Sequence, residues 1–169
     1  MAKQQPQFAD AIALLKADHR TVEQLFEQFE KTREPARKKE IAHKICVELK
    51  IHTMIEEELF YPAFRGKIDD DTLDEAYVEH DGAKVLINDI EASAPEADFF
   101  DAKVKVLSEE IKHHVHEEEA RGEGMFAQCR QADVDLVDLR DRMLARKQEL
   151  AAMETLPRAE PRAVDLAPA

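Results

Sequence analysis

Four histidines, each in phase with an apolar helical stripe, constrain the fold more than any other feature of the sequence. Apolar residues spaced three to four apart are typical of a helix that buries one face. Four successive segments of this 169-residue chain have that spacing, and each has one histidine in its apolar stripe: His19, His52, His80 and His114. Burying a polar side chain without a hydrogen-bonding partner costs roughly 2–7 kcal/mol. The four imidazoles therefore require partners in the interior.

Two of the four segments add a glutamate one helical turn after the histidine. The stretch IHTMIEEELFYP contains His52 and Glu56, and IKHHVHEEE contains His114 and Glu118. Because residues four apart differ by only about 40° around a helix, both members of each pair face the same interior volume. Four imidazoles and two carboxylates are too many ligands for one tetrahedral ion. They predict two metal ions, each held by two histidines, with the carboxylates bridging between them.

The types of ligand order the candidate metals. Structural zinc sites often include thiolates, but neither Cys46 nor Cys129 is placed to join these ligands. Calcium and magnesium prefer sets rich in oxygen. Imidazole and carboxylate in a dinuclear site favour iron over manganese or zinc. We therefore expect two iron ions as the cofactor.

The histidines of KHHVHEEE have to be distinguished by helical register, because His113 and His114 both begin an HxxxE motif. The residues three and seven positions before His114 are apolar, as they are before His52. Glu110 lies three positions before His113, so a ligand at His113 would place that carboxylate in the core. We expect His114 to face inward and His113 to lie at the edge of the stripe, in packing or in a hydrogen bond that orients a ligand.

Other titratable residues near the motifs are assigned to the surface or to packing. Glu23 follows His19 by one turn, and an exposed position is favoured over a role beside the metal. Cys46 lies in an apolar stripe and is expected in the core, whereas the position of Cys129 is left open. Four glutamates that flank the motif carboxylates are expected on solvated faces: Glu57, Glu58, Glu117 and Glu119.

Composition and helix-breaking residues complete the expected all-α fold. Charged residues make up 36% of the chain, which has only four glycines, and no alternation typical of strands occurs at any length. Short turns between the four stripes predict an up-down-up-down four-helix bundle with an additional C-terminal helix. The expected organisation is an N-terminal extension, the bundle with its appended helix, and a disordered proline-rich tail: residues 1–9, 10–154 and 155–169.

Charge and targeting signals exclude several partners. A formal net charge of −13 argues against nucleic acid and anionic membranes. The first ten residues lack the apolar core of a signal peptide, and no apolar run approaches the length of a membrane span. Two cysteines without a secretion signal favour reduced thiols. We therefore expect a cytoplasmic location.

The motifs together resemble those of bacterial hemerythrin-like (HHE) cation-binding domains over about residues 10–150. The motifs are DHR at 18–20, HTMIEEELFYP at 52–62, EHD at 79–81 and HHVHEEE at 113–119. The resemblance implies a four-helix bundle that holds a non-haem di-iron centre. The ligands it implies are the six residues already singled out: His19, His52, Glu56, His80, His114 and Glu118.

The chain departs from the family pattern at two places. Oxygen-carrying hemerythrins have a second histidine on the third helix, where this chain has Lys84, so simple reversible oxygen carriage is disfavoured. After the second HxxxE motif, the sequence ARGEGMFAQC replaces the LFYP that follows the first. That loop is expected to alter access to the site.

Two functions are consistent with such a centre. The favoured one is a protein that binds or senses a small ligand such as oxygen or nitric oxide, or senses iron. The alternative is an enzyme that reduces or dismutates hydrogen peroxide. Tyr77, one turn before His80, is the nearest candidate for acid–base chemistry, and we expect it to contribute to packing instead.

Overall fold

The chain folds into helices, with no strand between residues 7 and 165. The structure, a computed structural model, describes these residues, and residues 1–6 and 166–169 lie outside the described range. Helix makes up 74% of the structure. A π-helical turn, Glu56–Phe60, joins the second helix to the third. The α-helices are α1 (Ala11–Lys31), α2 (Pro35–Ile55), α3 (Tyr61–Phe64), α4 (Asp70–Ala92), α5 (Phe100–Glu119), α6 (Met125–Gln131) and α7 (Leu136–Ala151).

The four long helices α1, α2, α4 and α5 form the predicted bundle, and we call them the rods. Helix α1 packs against α2 and α5, while α4 packs against α2 and α5, so the four rods enclose one interior. The short connections between successive rods make neighbours antiparallel. Helix α7 lies against α1 and α2 as the additional C-terminal helix. The predicted fold class is therefore confirmed.

Local sequence fixes where the helices begin. The Asp10 carboxylate accepts a hydrogen bond from the Ala13 backbone N–H at 2.8 Å and caps α1. Asp69 and Asp135 cap α4 and α7 in the same way. Pro35 occupies the first turn of α2, where its missing N–H has no helical partner to lose.

The core consists of two apolar clusters with a polar layer between them. In α1, residues from Ala11 to Leu15 belong to one cluster and residues from Val22 to Phe29 to the other. The same change of cluster occurs along α2 and α4. In each of these three helices a buried histidine lies at the change: His19, His52 and His80. The bundle therefore sets its polar side chains in one layer across the interior.

Helix α6 lies largely within the sequence ARGEGMFAQC, which the sequence predicts as a loop, so that prediction is wrong for the helical part. Its side chains Met125, Phe126 and Cys129 are buried and complete the first apolar cluster. Gly124 makes the connection possible, because a Cβ there would lie 2.7 Å from backbone atoms of Glu117 and Ala120. Burial raises the pKa of the Cys129 thiol to about 12, as expected for a core residue.

The described part of the C-terminal tail, residues 155–165, is attached to α4 and differs from the predicted disorder. The Asp81 carboxylate accepts hydrogen bonds from the backbone N–H groups of Arg162, Ala163 and Val164. Asn88 exchanges two hydrogen bonds with the backbone of residue 159. Composition alone cannot predict these contacts, because the buried Asp81 that makes them is distant in sequence. Residues 166–169 of the predicted tail lie outside the described range.

The N-terminal extension is also held where it is described. The Arg140 guanidinium of α7 donates hydrogen bonds to the carbonyl oxygens of Phe8 and Ala9, each at 3.0 Å. Phe8 packs against the first apolar cluster. None of the described helices combines the length and apolar character that a membrane span requires.

We expect Gly124→Ala to destabilise the protein, because the added methyl group must displace backbone at the α5–α6 connection. Overpacking of this kind typically costs about 1–3 kcal/mol, which corresponds to a fall in melting temperature of roughly 2–4 °C for each kcal/mol in a chain of this size. The matched control is Gly82→Ala in α4, where no described atom lies within 4 Å of the new Cβ. That change should raise stability by about 0.5–1 kcal/mol. Equal effects of the two substitutions would contradict the packing argument.

Candidate metal centre

The six side chains predicted as ligands lie together in the polar layer. Each of the six is at most 4% exposed to solvent. The six residues form two overlapping groups. Within each group, one ligand atom from every residue lies within 4.8 Å of the others. The groups share Glu56, and they are His19, His52, Glu56 and Glu118, and Glu56, His80 and His114.

The four imidazoles form two pairs that point their Nε2 atoms into the centre. The Nε2 atoms of His19 and His52 lie 3.2 Å apart, and those of His80 and His114 also lie 3.2 Å apart. The first pair comes from α1 and α2, and the second from α4 and α5. Antiparallel packing of the rods thus brings each histidine beside the histidine of a neighbouring helix.

Glu56 lies between the two histidine pairs. Its Oε2 atom is 3.2 Å from His52 Nε2 and 3.3 Å from His80 Nε2. Its other oxygen, Oε1, is buried and has no hydrogen-bond partner among residues 7–165. A buried carboxylate oxygen without a partner is costly, and a bound cation would remove that cost.

Glu118 makes the corresponding connection from α5. Its Oε2 atom lies 3.3 Å from His19 Nε2, and its Oε1 atom lies 3.5 Å from His114 Nε2. Oε2 is buried and accepts no hydrogen bond from the described residues. The unpartnered oxygens of both glutamates, together with four inward imidazole nitrogens, fit a metal site.

A carboxylate lies behind every one of the four histidines, at the Nδ1 atom that faces away from the centre. A hydrogen-bonded carboxylate fixes the orientation of a ligating imidazole and increases its basicity. Three of the four carboxylates lie within hydrogen-bond distance, whereas His52 Nδ1 has no hydrogen-bond partner among the described residues. The four pairs and their distances are His19–Glu119 at 2.7 Å, His52–Asp18 at 3.6 Å, His80–Glu57 at 3.0 Å and His114–Glu79 at 2.7 Å.

These outer carboxylates link the four rods in a closed circle. Asp18 of α1 faces the histidine of α2, and Glu57 after α2 faces that of α4. Glu79 of α4 faces the histidine of α5, and Glu119 of α5 faces that of α1. Each outer acid is adjacent in sequence to an inward ligand, before it in α1 and α4 and after it in α2 and α5. A shift of one residue along a helix turns the side chain by about 100° around the helix axis. Because neighbouring rods are antiparallel, a backward shift in one rod and a forward shift in the next turn the side chains in the same direction around the bundle.

Glu57 therefore does not lie on a solvated face, and that prediction is wrong. It is 3% exposed, and three nitrogen groups lie close to its carboxylate. His80 Nδ1 lies 3.0 Å, Lys84 Nζ 2.7 Å and Arg162 Nε 2.8 Å from its carboxylate. Lys84, which stands where oxygen-carrying hemerythrins have a histidine, also pairs with Asp81 at 3.0 Å. Tertiary contacts with α4 and the tail neutralise a carboxylate that looked solvent-exposed in the helical pattern.

The other three flanking glutamates differ in exposure. Glu117 has a 43% exposed side chain, as predicted. Glu58 is partly buried by its ion pair with Arg146. Glu119 is also partly buried, because it contacts His19 and pairs with Arg20 of α1. Of these three glutamates, only Glu117 is as exposed to solvent as predicted.

Two further predictions concern residues outside the ligand set. The His113 side chain is 64% exposed, whereas His114 is buried, so the register assigned from the apolar stripe is confirmed. Glu23 pairs with Arg20 at 3.1 Å on the helix surface and lies outside the cluster. The Tyr77 hydroxyl contacts the Glu57 carbonyl oxygen at 3.4 Å, in agreement with a packing role.

Tyr61 is a member of the centre that the sequence pattern missed. Its hydroxyl lies 3.3 Å from Glu56 Oε2, 3.1 Å from Glu118 Oε1 and 3.2 Å from His80 Nε2. In a regular α-helix, residues five apart differ by about 140° and face different sides. The π-helical turn closes after five residues and brings Tyr61 beneath Glu56. Pro62, which cannot donate to a helical carbonyl, is the sequence signal for this irregularity.

Burial and charge act in opposite directions on the titration of these groups. Burial disfavours a charged imidazole, but Glu56 and Asp18 outweigh it and raise the pKa of His52 to about 10. Burial is likewise outweighed at His80, where Glu56 and Glu57 raise the pKa to about 9. Burial and the nearby carboxylates raise the pKa of Tyr61 well above its ordinary value. Without metal, His52 and His80 therefore hold protons that a metal ion must displace.

A helical bundle with a buried cluster of histidines and glutamates is typical of cation-binding helical proteins. The profile of the Hemerythrin HHE cation binding domain matches residues 10–129. That range is more than half of the chain, so the protein belongs to the Hemerythrin HHE cation binding domain family. The predicted family is confirmed, and the chain is a metal-binding protein.

Two known proteins show how far the likeness extends. The structure of a Hemerythrin HHE cation binding domain-containing protein from Mycobacterium kansasii, a homologue of Rv2633c, has a TM-score of 0.69 and 18% sequence identity. The match covers 85% of this chain and 88% of that chain, and it establishes a shared fold. A protein named DNA nickase from Nostoc sp. (strain PCC 7120 / SAG 25.82 / UTEX 2576) is 30% identical over 107 residues. The match covers 63% of this chain but 30% of the Nostoc protein.

We expect His114→Ala to remove at least half of the bound metal, because its Nε2 atom points at the centre. His113→Ala should leave the final metal content unchanged, because that side chain is exposed. Elemental analysis of both variants after loading with iron checks this expectation. Loss of metal from His113→Ala with retention in His114→Ala would show that the assigned register does not describe the ligands.

The stability of the metal-free protein should fall as the pH rises from about 6.5 to 10. The unfolded pKa of histidine is about 6.5, and the folded values of His52 and His80 are higher, about 10 and about 9. Protonated imidazoles therefore contribute stability that is complete below pH 6.5 and is lost as pH passes through the folded values. Melting temperatures across this range test the direction, and His52→Gln should show a weaker dependence. A metal-free protein whose melting temperature rises over the same interval would contradict this assignment.

Proposed function

We propose that the chain holds two iron ions in this centre and uses them to bind or sense a small ligand such as oxygen or nitric oxide, or iron itself. The observation that carries the proposal is that each of two buried carboxylates contacts both histidine pairs. A donor set divided into two histidine pairs with shared carboxylates suits two ions better than one. Imidazole and carboxylate ligands favour iron over manganese or zinc.

Each ion would be held by one histidine pair. His19 and His52 would hold the first ion, and His80 and His114 the second. Glu56 and Glu118 would serve both, and the Tyr61 hydroxyl would offer a further oxygen beside the second ion. When bound, iron supplies one-electron redox chemistry and coordination positions that an outside ligand can occupy.

The space beside the imidazoles is about the size of one water molecule, so it suits only a very small ligand. A small void of about 10 Å³ is lined by all four histidines. The rest of its wall is mostly apolar and includes Val22, Leu49, Ile111 and Val115. These side chains exclude bulk water and leave no room for a larger substrate on this side of the centre.

Reduction or dismutation of hydrogen peroxide is the alternative, and Tyr61 is the observation that favours it. Its buried hydroxyl can donate its one proton to the carboxylate of Glu56 or of Glu118, and its raised pKa keeps it protonated. Peroxide reduction requires protons at the reacting oxygens, and Tyr61 is a proton donor inside the centre. Tyr61 would then hold and deliver a proton, while the apolar wall excludes water.

The proposal includes neither nucleic acid nor membrane as a partner. A net charge of −13 disfavours polyanions and anionic lipid surfaces. The nickase activity named for the Nostoc relative is therefore not extended to this chain. Both cysteines are buried free thiols, which supports a cytoplasmic location as part of the proposal.

Two irons per chain are expected when the metal-free protein is loaded without oxygen and analysed for metal. Glu56→Gln and Glu118→Gln should each lower the content towards zero, because each carboxylate serves both ions. Glu23→Gln, an equal change of charge outside the cluster, is the matched control and should retain both. A wild-type protein saturating at one ion would overturn the two-iron proposal.

The loaded protein can then be used to decide between binding and catalysis. Mixing it with nitric oxide and following the optical spectrum should give a stable, stoichiometric adduct. Mixing it with hydrogen peroxide should give oxygen evolution no faster than free iron does. Rapid turnover that Tyr61→Phe slows would favour the peroxide-consuming enzyme instead.

A further inference from the structure

An acidic cavity connects the surface to one side of the metal centre. The cavity has a volume of about 220 Å³ and lies between α4, α5 and the start of α6. Two residues of the centre, His114 and Glu118, form part of its wall. Glu79 and Glu117 line it nearer the surface, and the exposed residues Glu75 and Glu123 complete its acidic lining.

Two carboxylates of the cavity wall, Glu79 and Glu117, form a second cluster of metal-binding donors with His113, which lines the adjoining surface depression. His113 Nε2 lies 3.1 Å from Glu117 Oε1 and 3.4 Å from Glu79 Oε1. One ligand atom from each of the three lies within 4.8 Å of the others. We call Glu79, His113 and Glu117 the outer cluster. One imidazole and two carboxylates are a donor set typical of divalent transition-metal ions.

The outer cluster is joined to the centre through one side chain. Glu79 contacts His113 with Oε1, and its Oε2 atom lies 2.7 Å from His114 Nδ1. The Nε2 atom of the same His114 ring points into the centre. Glu79 of the outer cluster therefore directly contacts a predicted ligand of the centre.

The charges around the cavity favour cations. Within residues 7–165, no lysine or arginine lies within 4 Å of the carboxylates of Glu75, Glu79, Glu117 or Glu123. The opposite side of the centre differs, because Glu119 is paired there with a lysine and an arginine of α1. Clefts lined by charge of one sign raise the local concentration of counter-ions and their rate of association.

Glu118, in the wall of the cavity, has one carboxylate oxygen, Oε2, that accepts no hydrogen bond from the part of the chain that the structure describes, although His19 Nε2 lies 3.3 Å from it. Glu118 is 1% exposed to solvent. A cation that moves inward from the outer cluster would meet this carboxylate next. The cavity wall thus has cation-binding groups near the surface and, in Glu118, a buried acceptor oxygen.

We propose that this cavity is the path by which a divalent transition-metal ion reaches the centre, with the outer cluster as its capture site. The proposal rests on the proposed function, because the centre is the destination of the ion. The exposed carboxylates attract the ion, and His113 with Glu117 and Glu79 holds it. The ion then passes His114 to the carboxylate of Glu118.

The test measures the rate at which the full-length, metal-free protein takes up Fe²⁺ or Co²⁺ without oxygen. The variant His113→Ala/Glu117→Gln removes two members of the outer cluster and no predicted ligand of the centre. The matched control is Glu110→Gln/His116→Ala, which changes the same residue types on the same helix outside the cavity. Stopped-flow absorbance gives the rate, and elemental analysis gives the final metal content. Glu117→Gln alone serves if the double variant does not fold.

We expect uptake by the outer-cluster variant to slow at least about tenfold, with the final metal content equal to that of wild type. The control should load at the wild-type rate, and added salt should slow wild type more than the outer-cluster variant. Unchanged uptake in the outer-cluster variant overturns the proposed path. If that variant loads normally but its loaded form binds nitric oxide slowly, the cavity admits the small ligand and not the metal. A wild-type protein that takes up no metal would overturn the proposed function itself.

Discussion

The structure depends on the neutralisation of buried carboxylates by imidazoles in one layer of the bundle. Glu56 and Glu118 lie between two apolar clusters, where a lone charge is unfavourable. His52 and His80 supply compensating positive charge while no metal is bound, because the nearby carboxylates raise the pKa values of both imidazoles. Metal ions can take over that compensation. The two unpartnered carboxylate oxygens show that the protons alone do not satisfy the layer.

A second set of carboxylates makes the layer rigid. Three of the outer acids lie within hydrogen-bond distance of the histidine of the next rod, so the orientation of those imidazoles depends on a neighbouring helix, and Asp18 lies 3.6 Å from the fourth imidazole. Glu57 shows how far this support extends, because it is itself held by Lys84 and by Arg162 of the tail. Asp81 in turn binds three backbone N–H groups of that tail. The tail is therefore connected to the centre through Glu57 and Asp81.

The two sides of the centre differ in charge and in cover. On the α1 side, Phe126 of α6 stacks on His19 with ring centroids 5.9 Å apart, and Lys16 and Arg20 neutralise Glu119. On the α4 side, the acidic cavity reaches His114. One side of the centre is therefore covered by an aromatic ring, and the other is open to cations.

The sequence by itself determined the helical class, the bundle and the six side chains that meet in its interior, because helical periodicity reports which face of each rod is buried. It also distinguished His114 from His113 through the apolar residues one and two turns earlier. Tertiary structure decided what lies around those side chains. Tyr61 enters the centre through a π-helical turn that breaks the regular period, and Glu57 and the tail are held by partners distant in sequence. The outer acids stand beside the ligands in the sequence, but their role becomes visible only when antiparallel packing turns all four towards a neighbouring histidine.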